Sequence, residues 1–255
     1  MPDVENEDEF FGPAKFKLLC GDSFEILKTI ENKSIDLLVT DPPYEHVMGG
    51  MKSKFMLNGA WNHKSYMNQK MSQFGYEEII KFLDLVRPKM KKVNMYIFCS
   101  RLQISHYLEW IKKEKLKYDL LIWNKGLKAL KSTKFFAQDI EYVVRIYESG
   151  VHLRKITSDD GKVETEYYLK CKKIEQPHGK HETIKPVKLI SHYIELSSDE
   201  GDTILDPFMG SGTTSIACKR LKRNFIGIEI NEDYYKLAKN ELENEIAQMT
   251  IFDYM

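Results

Sequence analysis

The sequence predicts an α/β fold, a mostly parallel sheet covered by helices. Two observations carry this. Short apolar, β-rich runs alternate with stretches of helical apolar spacing, and 255 residues suffice to bury a core of domain size. A third observation agrees with them: two of the runs end abruptly in turns built from Asp, Pro and Gly, as strands do when they deliver residues to a sheet edge.

In chain order the strand candidates are Lys17–Cys20, Ile35–Thr40, Val93–Cys99, Tyr118–Trp123, Ile140–Ile146, Thr203–Leu205 and Phe225–Glu229. Helices fit between them. Ile79, Ile80, Leu83 and Val86 make one apolar stripe at helical spacing. Pro186 suits a first helical position, and Asn231 is a good N-cap for a helix through Tyr235, Ala238 and Leu242. Two stretches break the alternation. Val47–Gly75 is too long for a simple connection, and Ser149–Lys180 is polar, with a turn at Asp159-Asp160-Gly161 and a strand candidate at Val163–Leu169. Residues 1–13 read as an acidic, flexible tail.

Hydrophobic content of 42% and charged content of 30% are those of a soluble globular chain. No apolar run is long enough to span a bilayer, and the acidic N-terminus lacks the basic-then-apolar pattern of a secretory signal. Cys20, Cys99, Cys171 and Cys218 form no C-x-x-C pair, which leaves no zinc or redox motif and no metal centre to propose. Cys20 and Cys99 read as buried core thiols, and the expected compartment is the cytoplasm. The net charge is zero, but it is unevenly spread. Residues 47–76 hold four lysines and no acid, and eight lysines between Ile111 and Lys134 face only Glu114 and Asp119.

The chemistry concentrates in three places. Asp41-Pro42-Pro43-Tyr44 follows the run Ile35–Thr40. Prolines cannot continue a sheet ladder, and their carbonyls stay free on a stiff backbone. An acid beside a rigid carbonyl can grip both hydrogens of an aromatic amino group, and Tyr44 offers a plate for the ring. The second is Asp206-Pro207-Phe208-Met209-Gly210-Ser211-Gly212-Thr213, whose glycines let the backbone approach a ligand and turn into a helix. It is neither a Walker loop nor a strict dinucleotide fingerprint. The third is Glu229-Ile230 at the end of the next strand, where an acidic residue commonly holds ribose hydroxyls.

Taken together these motifs resemble those of the amino-methylating DNA methyltransferases of the permuted β class, in which the catalytic motif precedes the cofactor motif. The resemblance runs from Leu18 to about Leu242, apart from the middle segment. It implies a seven-stranded Rossmann-like sheet with helices on both faces, circularly permuted motif order and a small inserted recognition segment. It assigns residues 14–125 and 181–245 to the catalytic and cofactor-binding domain, and S-adenosylmethionine as the cofactor. Asp41, Pro42, Pro43 and Tyr44 are then catalytic. Gly21-Asp22 and Lys185, in the element His181–Pro186, join Asp206, Pro207, Phe208, Gly210, Ser211, Gly212, Thr213, Glu229 and Ile230 as cofactor-binding residues. The strands ending at Thr40 and Leu205 become neighbours at the topological switch point.

What the resemblance implies further is direct methyl transfer to a flipped-out base, adenine N6 because the tetrapeptide begins with Asp rather than the Ser more common in cytosine-N4 enzymes. Protein-glutamine and ribosomal RNA methyltransferases place their cofactor motif first, against the order here. Double-stranded DNA is the expected partner, with room for a cognate restriction endonuclease and for a monomer or a homodimer. Residues 47–76 form the expected mobile DNA-contacting loop, carrying Lys52, Lys54, Trp61 and Lys64. Residues 126–180 form the expected target-recognition segment, partly returning to the sheet, with Lys128, Lys131 and Lys134 as phosphate contacts; Trp123 and Lys125, in a segment that the resemblance sets near the target base, are further expected DNA contacts.

Overall fold

In the computed structural model, the described residues are 9–11, 14–44, 74–126, 139–158, 161–175 and 185–253; of residues 9–11 and 247–253 only the backbone is described. Among them are nine strands. These are β1 (Glu9–Phe11), β2 (Ala14–Cys20), β3 (Leu37–Thr40), β4 (Asn94–Cys99), β5 (Lys117–Asn124), β6 (Ile140–Tyr147), β7 (Cys171–Lys173), β8 (Thr203–Asp206) and β9 (Asn224–Glu229). The helices are α1 (Ser23–Thr29), α2 (Tyr76–Val86), α3 (Ile104–Glu114), α4 (Val187–Ser197), α5 (Thr213–Arg220) and α6 (Glu232–Asp253).

All nine strands join one sheet in the order β1-β2-β9-β8-β3-β4-β6-β5-β7. Among the described strands β1 and β6 alone run against the rest. The expected neighbours pair in parallel, with Leu37 opposite Ile204 and Leu38 opposite Leu205. From that pair the chain winds both ways, β3 to β4 on one side and β8 to β9 on the other, which opens a crevice at the strands' carboxyl ends.

Side-chain alternation explains the two cores. Leu38, Met95, Ile97 and Cys99 face α1, α2 and α3, whose Leu27, Ile79, Phe82, Leu83 and Trp110 cover them. Leu37, Val39, Tyr96 and Phe98 face α4, α5 and α6, under Leu189, Tyr193, Ile194, Ala217 and Leu242. Burying each large apolar side chain contributes about 1.5–3 kcal/mol, so both helical layers are held chiefly by area. Asn231 caps α6 as expected, accepting from the amides of Asp233 (2.9 Å) and Tyr234 (3.1 Å). Pro186 lies one place earlier than expected, as the cap before α4.

Four expectations change. The sheet has nine strands rather than seven because both edges recruit short segments. Of the expected tail, residues 9–11 pair antiparallel with β2, whose backbone edge would otherwise stay open. Residues 171–173 add to β5 at the other edge. Val163–Leu169 is no strand: it holds a single bridge, Val163 to Thr157, and a 3-10 turn at Thr165–Tyr168. There the Tyr168 hydroxyl, rather than a neighbouring strand, receives the Ile156 amide (2.8 Å) and donates to the Arg154 carbonyl (2.8 Å). Cys20 is exposed, since it is the last residue of β2 and points outward, whereas Cys99 is buried.

A side-chain bond stitches the crevice shut at its base. Thr40 Oγ1 donates to Asp206 Oδ1 (2.7 Å), joining the ends of β3 and β8, and Thr214 Oγ1 donates to Oδ2 (2.6 Å). Burial lifts the Asp206 carboxyl from 3.8 to about 6, against the pull of the two threonine hydroxyls. The folded state therefore holds this proton more tightly than the unfolded chain. Its contribution to stability is complete below about pH 4 and is lost as the pH rises through about 6. Asp206→Asn is expected to remove this slope, an amplitude of about 3 kcal/mol at about 1.4 kcal/mol per pH unit. Denaturant unfolding from pH 4 to 7 measures it, and an unchanged slope contradicts the burial of this charge.

Candidate active site

Five elements deliver side chains to one edge of the sheet. The ends of β3, β5, β8 and β9 supply Asp41, Lys125, Asp206 and Glu229. Because β6 is antiparallel, its first residues reach the same edge, and Glu141 pairs across from Trp123 of β5.

Around the tetrapeptide stands a network of two carboxylates and two ammonium groups. Lys185 Nζ binds Asp41 Oδ2 and also lies 3.2 Å from Glu141 Oε2. Lys125 Nζ meets Glu141 Oε1 at 2.6 Å. Tyr44 donates its hydroxyl to Glu141 Oε2 (3.2 Å), which fixes the direction of its ring. Lys185 Nζ lies 5.8 Å from the Tyr44 ring centroid and 5.2 Å from that of Phe98, within cation–π range. Burial raises the Asp41 carboxyl above the ordinary aspartate range even though Lys185 draws it down. For Glu141 the balance reverses: burial pushes up, but Lys185 and Lys125 outweigh it and hold the carboxyl low. Burial likewise opposes the charge on Lys185, and the two carboxylates overcome it, keeping the ammonium protonated.

One atom is left over. Asp41 Oδ1 is buried and has no hydrogen-bond partner among the described residues. A buried acceptor without a donor is costly, by about 1–3 kcal/mol, and calls for a group supplied from outside. Beside it the Pro42 carbonyl also has no partner among the described residues, whereas the Pro43 carbonyl accepts from Gln103 (3.0 Å).

The glycine-rich turn lies at the neighbouring strand ends. Gly210 N donates to Glu229 Oε2 (2.9 Å) and Asn231 N to Oε1 (2.8 Å), so Glu229 shapes the turn and the start of α6 together. Burial raises the Glu229 carboxyl, opposed by these backbone bonds. Gly212 takes φ +88°, and a Cβ there would stand 2.8 Å from the Ala238 Cβ, so only glycine fits. At Gly210 nothing stands within 4 Å of where a Cβ would point, which leaves the backbone open to a ligand. Gly21 N donates to the Glu229 carbonyl (2.9 Å), and Ser23 Oγ to the Pro207 carbonyl (2.5 Å), joining the Gly21–Ser23 turn to the cofactor candidates. Asp22 caps α1, accepting from Phe24 N (2.8 Å). Ser211 and Thr213 flank Gly212 in the same turn, and Ile230 is 39% exposed at its rim.

Three sequence expectations shift. Lys185, expected at the cofactor, has its ammonium on Asp41 and Glu141. Trp123, expected at DNA, is 1% exposed; it packs in the core and donates Nε1 to the Ile174 carbonyl (2.8 Å). Lys125, expected at DNA, is engaged by Glu141. Lys52, Lys54, Trp61, Lys64, Lys128, Lys131 and Lys134 lie outside the described residues. Sequence reasoning missed Gln103 altogether; a polar residue just past an apolar strand was the available signal.

The family model described as DNA methylase, N6_N4_Mtase, matches residues 35–240. The chain is 30% identical over 254 residues to Type II methyltransferase M2.DpnII of Streptococcus pneumoniae, with 92% of each chain covered. Among solved structures it is similar to M1.HpyAVI in its SAM complex, at 26% identity and a TM-score of 0.66, covering 89% of this chain and 98% of that one. The cytosine-N4-specific PvuII DNA methyltransferase, at 16% identity and a TM-score of 0.65 over 91% and 92% of the two chains, shares the fold alone. The matched residues take in the tetrapeptide, the lysine that holds it and the glycine turn. With a match over most of its length and a relative this similar from end to end, the chain belongs to the N6_N4_Mtase family of DNA methylases.

Proposed function

We propose that this chain transfers the methyl group of S-adenosylmethionine to the exocyclic N6 of an adenine in double-stranded DNA. The observation that carries the reading is the buried Asp41 Oδ1 and, next in the chain, the Pro42 carbonyl, neither with a hydrogen-bond partner among the described residues. Two acceptors on a rigid backbone match the two hydrogens of one amino group. The choice of adenine over cytosine rests on Asp41 standing first in the tetrapeptide.

The residues at the glycine turn fit the cofactor. The open face at Gly210, the glycine-only position at Gly212 and the carboxylate of Glu229 make a cradle for a nucleoside with a chain that passes close to backbone. When bound there, the cofactor supplies an electrophilic methyl group on a sulfonium. The rest is the work of this chain. Asp41 Oδ1 and the Pro42 carbonyl accept the amino hydrogens and turn the nitrogen lone pair toward the methyl group. As the nitrogen–carbon bond forms and the sulfur–carbon bond breaks, the nitrogen sheds one proton along its hydrogen bond to Asp41. No covalent bond joins protein and base. Lys185 draws Asp41 toward the ionised form, against the burial that raises its carboxyl, and fixes its second oxygen, so the acceptor is aimed before the base arrives. Tyr44, its hydroxyl held by Glu141, stacks on a base that has left the duplex.

These roles can be tested on the wild-type chain and on two variants. Incubating DNA with the protein and isotope-labelled S-adenosylmethionine, then analysing nucleosides by mass spectrometry, should give labelled N6-methyladenine. N4-methylcytosine in its place overturns the choice of base, and no labelled base overturns the activity. Asp41→Ala should abolish transfer while cofactor affinity by calorimetry stays within about threefold, and Lys185→Met should lower kcat by about a hundredfold or more. Should Lys185→Met instead weaken cofactor binding and leave kcat intact, the lysine belongs to the cofactor after all.

A further inference from the structure

Gln103 belongs to none of the motifs, yet it is completely buried at the turn between β4 and α3. Its side-chain amide is fully used. Nε2 donates to the Pro43 carbonyl (3.0 Å) and to the Phe74 carbonyl (3.0 Å), and Oε1 accepts from Ser100 N (3.1 Å). Pro43 and Phe74 stand on either side of residues 45–73, which lie outside the described residues. One nitrogen therefore fixes the point where the chain leaves the tetrapeptide to the point where it returns to the core.

The return point touches the other half of the site. Phe74 is buried, and its ring meets that of Phe208, in the glycine-rich turn, edge-on at a centroid distance of 5.4 Å. The ring of Phe24, just beyond the Gly21-Asp22 turn, lies 6.3 Å from that of Phe74. Backbone carbonyls on two segments cannot bond to each other, so a donor with two hydrogens is the least atom set that can tie them. The bond also draws the Pro43 carbonyl inward, which leaves the Pro42 carbonyl as the one with no partner among the described residues.

We propose that Gln103 is a positioning residue for the reaction: its amide locks the acceptor tetrapeptide to Phe74, and through the Phe74–Phe208 contact sets the tetrapeptide against the cofactor turn. The proposal rests on the functional reading above for its catalytic consequence, but the lock itself is independent of substrate. Misplacing reacting groups by about 1 Å can cost about a hundredfold in rate, so a loosened lock should appear in the transfer step more than in either binding step.

The experiment compares wild type with Gln103→Met, which keeps length and loses both donors, and Gln103→Glu, which keeps the acceptor for Ser100 N. Hydrogen exchange read by mass spectrometry should speed up in Gln103→Met at the Asp41 and Tyr44 amides, the two that this proline-containing stretch offers, and at residues 74–78 together. Single-turnover transfer should fall about a hundredfold with cofactor and DNA affinities within about threefold of wild type. Gln103→Glu should regain part of its rate relative to wild type as the pH falls, because a protonated carboxyl has one hydrogen to give. Faster exchange at only one of the two ends overturns the lock, and faster exchange at both with an unchanged transfer rate overturns the positioning role. If Gln103→Met loses its fold, a Gln103→Glu pH profile parallel to that of wild type overturns the proposal. Exchange needs no DNA, so a wild-type chain that transfers nothing would defeat the functional reading while leaving the lock decided.

Discussion

The ammonium of Lys185, set between Asp41 and Glu141, is the constraint on which the site depends. Ionised groups resist burial, at an effective cost of about several kcal/mol each, and they stay charged only when geometry supplies the opposite charge. Here four side chains from β3, β5, β6 and the lead into α4 must converge for the charges to balance. Lys185 thereby draws the buried Asp41 toward its carboxylate form, with one oxygen held and the other without a partner among the described residues. The same network orients Tyr44 through Glu141. A single lysine thus links the protonation state of the acid to the placement of the stacking ring.

Convergence of these groups follows from the sheet order. The pair β3–β8 is the place where the winding reverses, so the segments after both strands are free of crossing helices. The bond from Thr40 to Asp206 closes the floor between them, and the Gln103 amide ties the rim. Asp206 is accordingly a brace under the site, with both oxygens occupied by hydroxyl donors. Antiparallel β6 matters as much: only a strand running the other way can bring its first residues, Ile140 and Glu141, to the edge where its neighbours end.

Much of this was legible in the sequence, for identifiable reasons. Strands β3, β4, β8 and β9 are largely apolar on both faces, and β3 and β8 run into prolines that cannot continue a ladder, so their identity and neighbourhood could be read locally. The glycine turn announced itself because Gly212 occupies a backbone conformation that side chains resist. The edges were hidden: β1 and β7 are each three residues long and form only because an open strand edge lies beside them. Lys185 and Gln103 show the limit within the site. Their partners lie 144 and 60 positions away, on Asp41 and Pro43, and neither carries a local pattern that names them. Trp123 misled for the opposite reason. The resemblance set Trp123-Asn124-Lys125 near the target base, whereas the Trp123 indole is buried and donates to the Ile174 carbonyl.

The measurement that tests the electrostatic account most directly is the titration of the Asp41 carboxyl carbon by NMR, in wild type and in Lys185→Met. Burial should place the wild-type Asp41 above the ordinary aspartate range, and loss of the lysine should move it higher still, since the Coulombic attraction and the hydrogen bond that favour the anion go together. An Asp41 that titrates as an ordinary surface aspartate, unmoved by the loss of Lys185, would contradict the account.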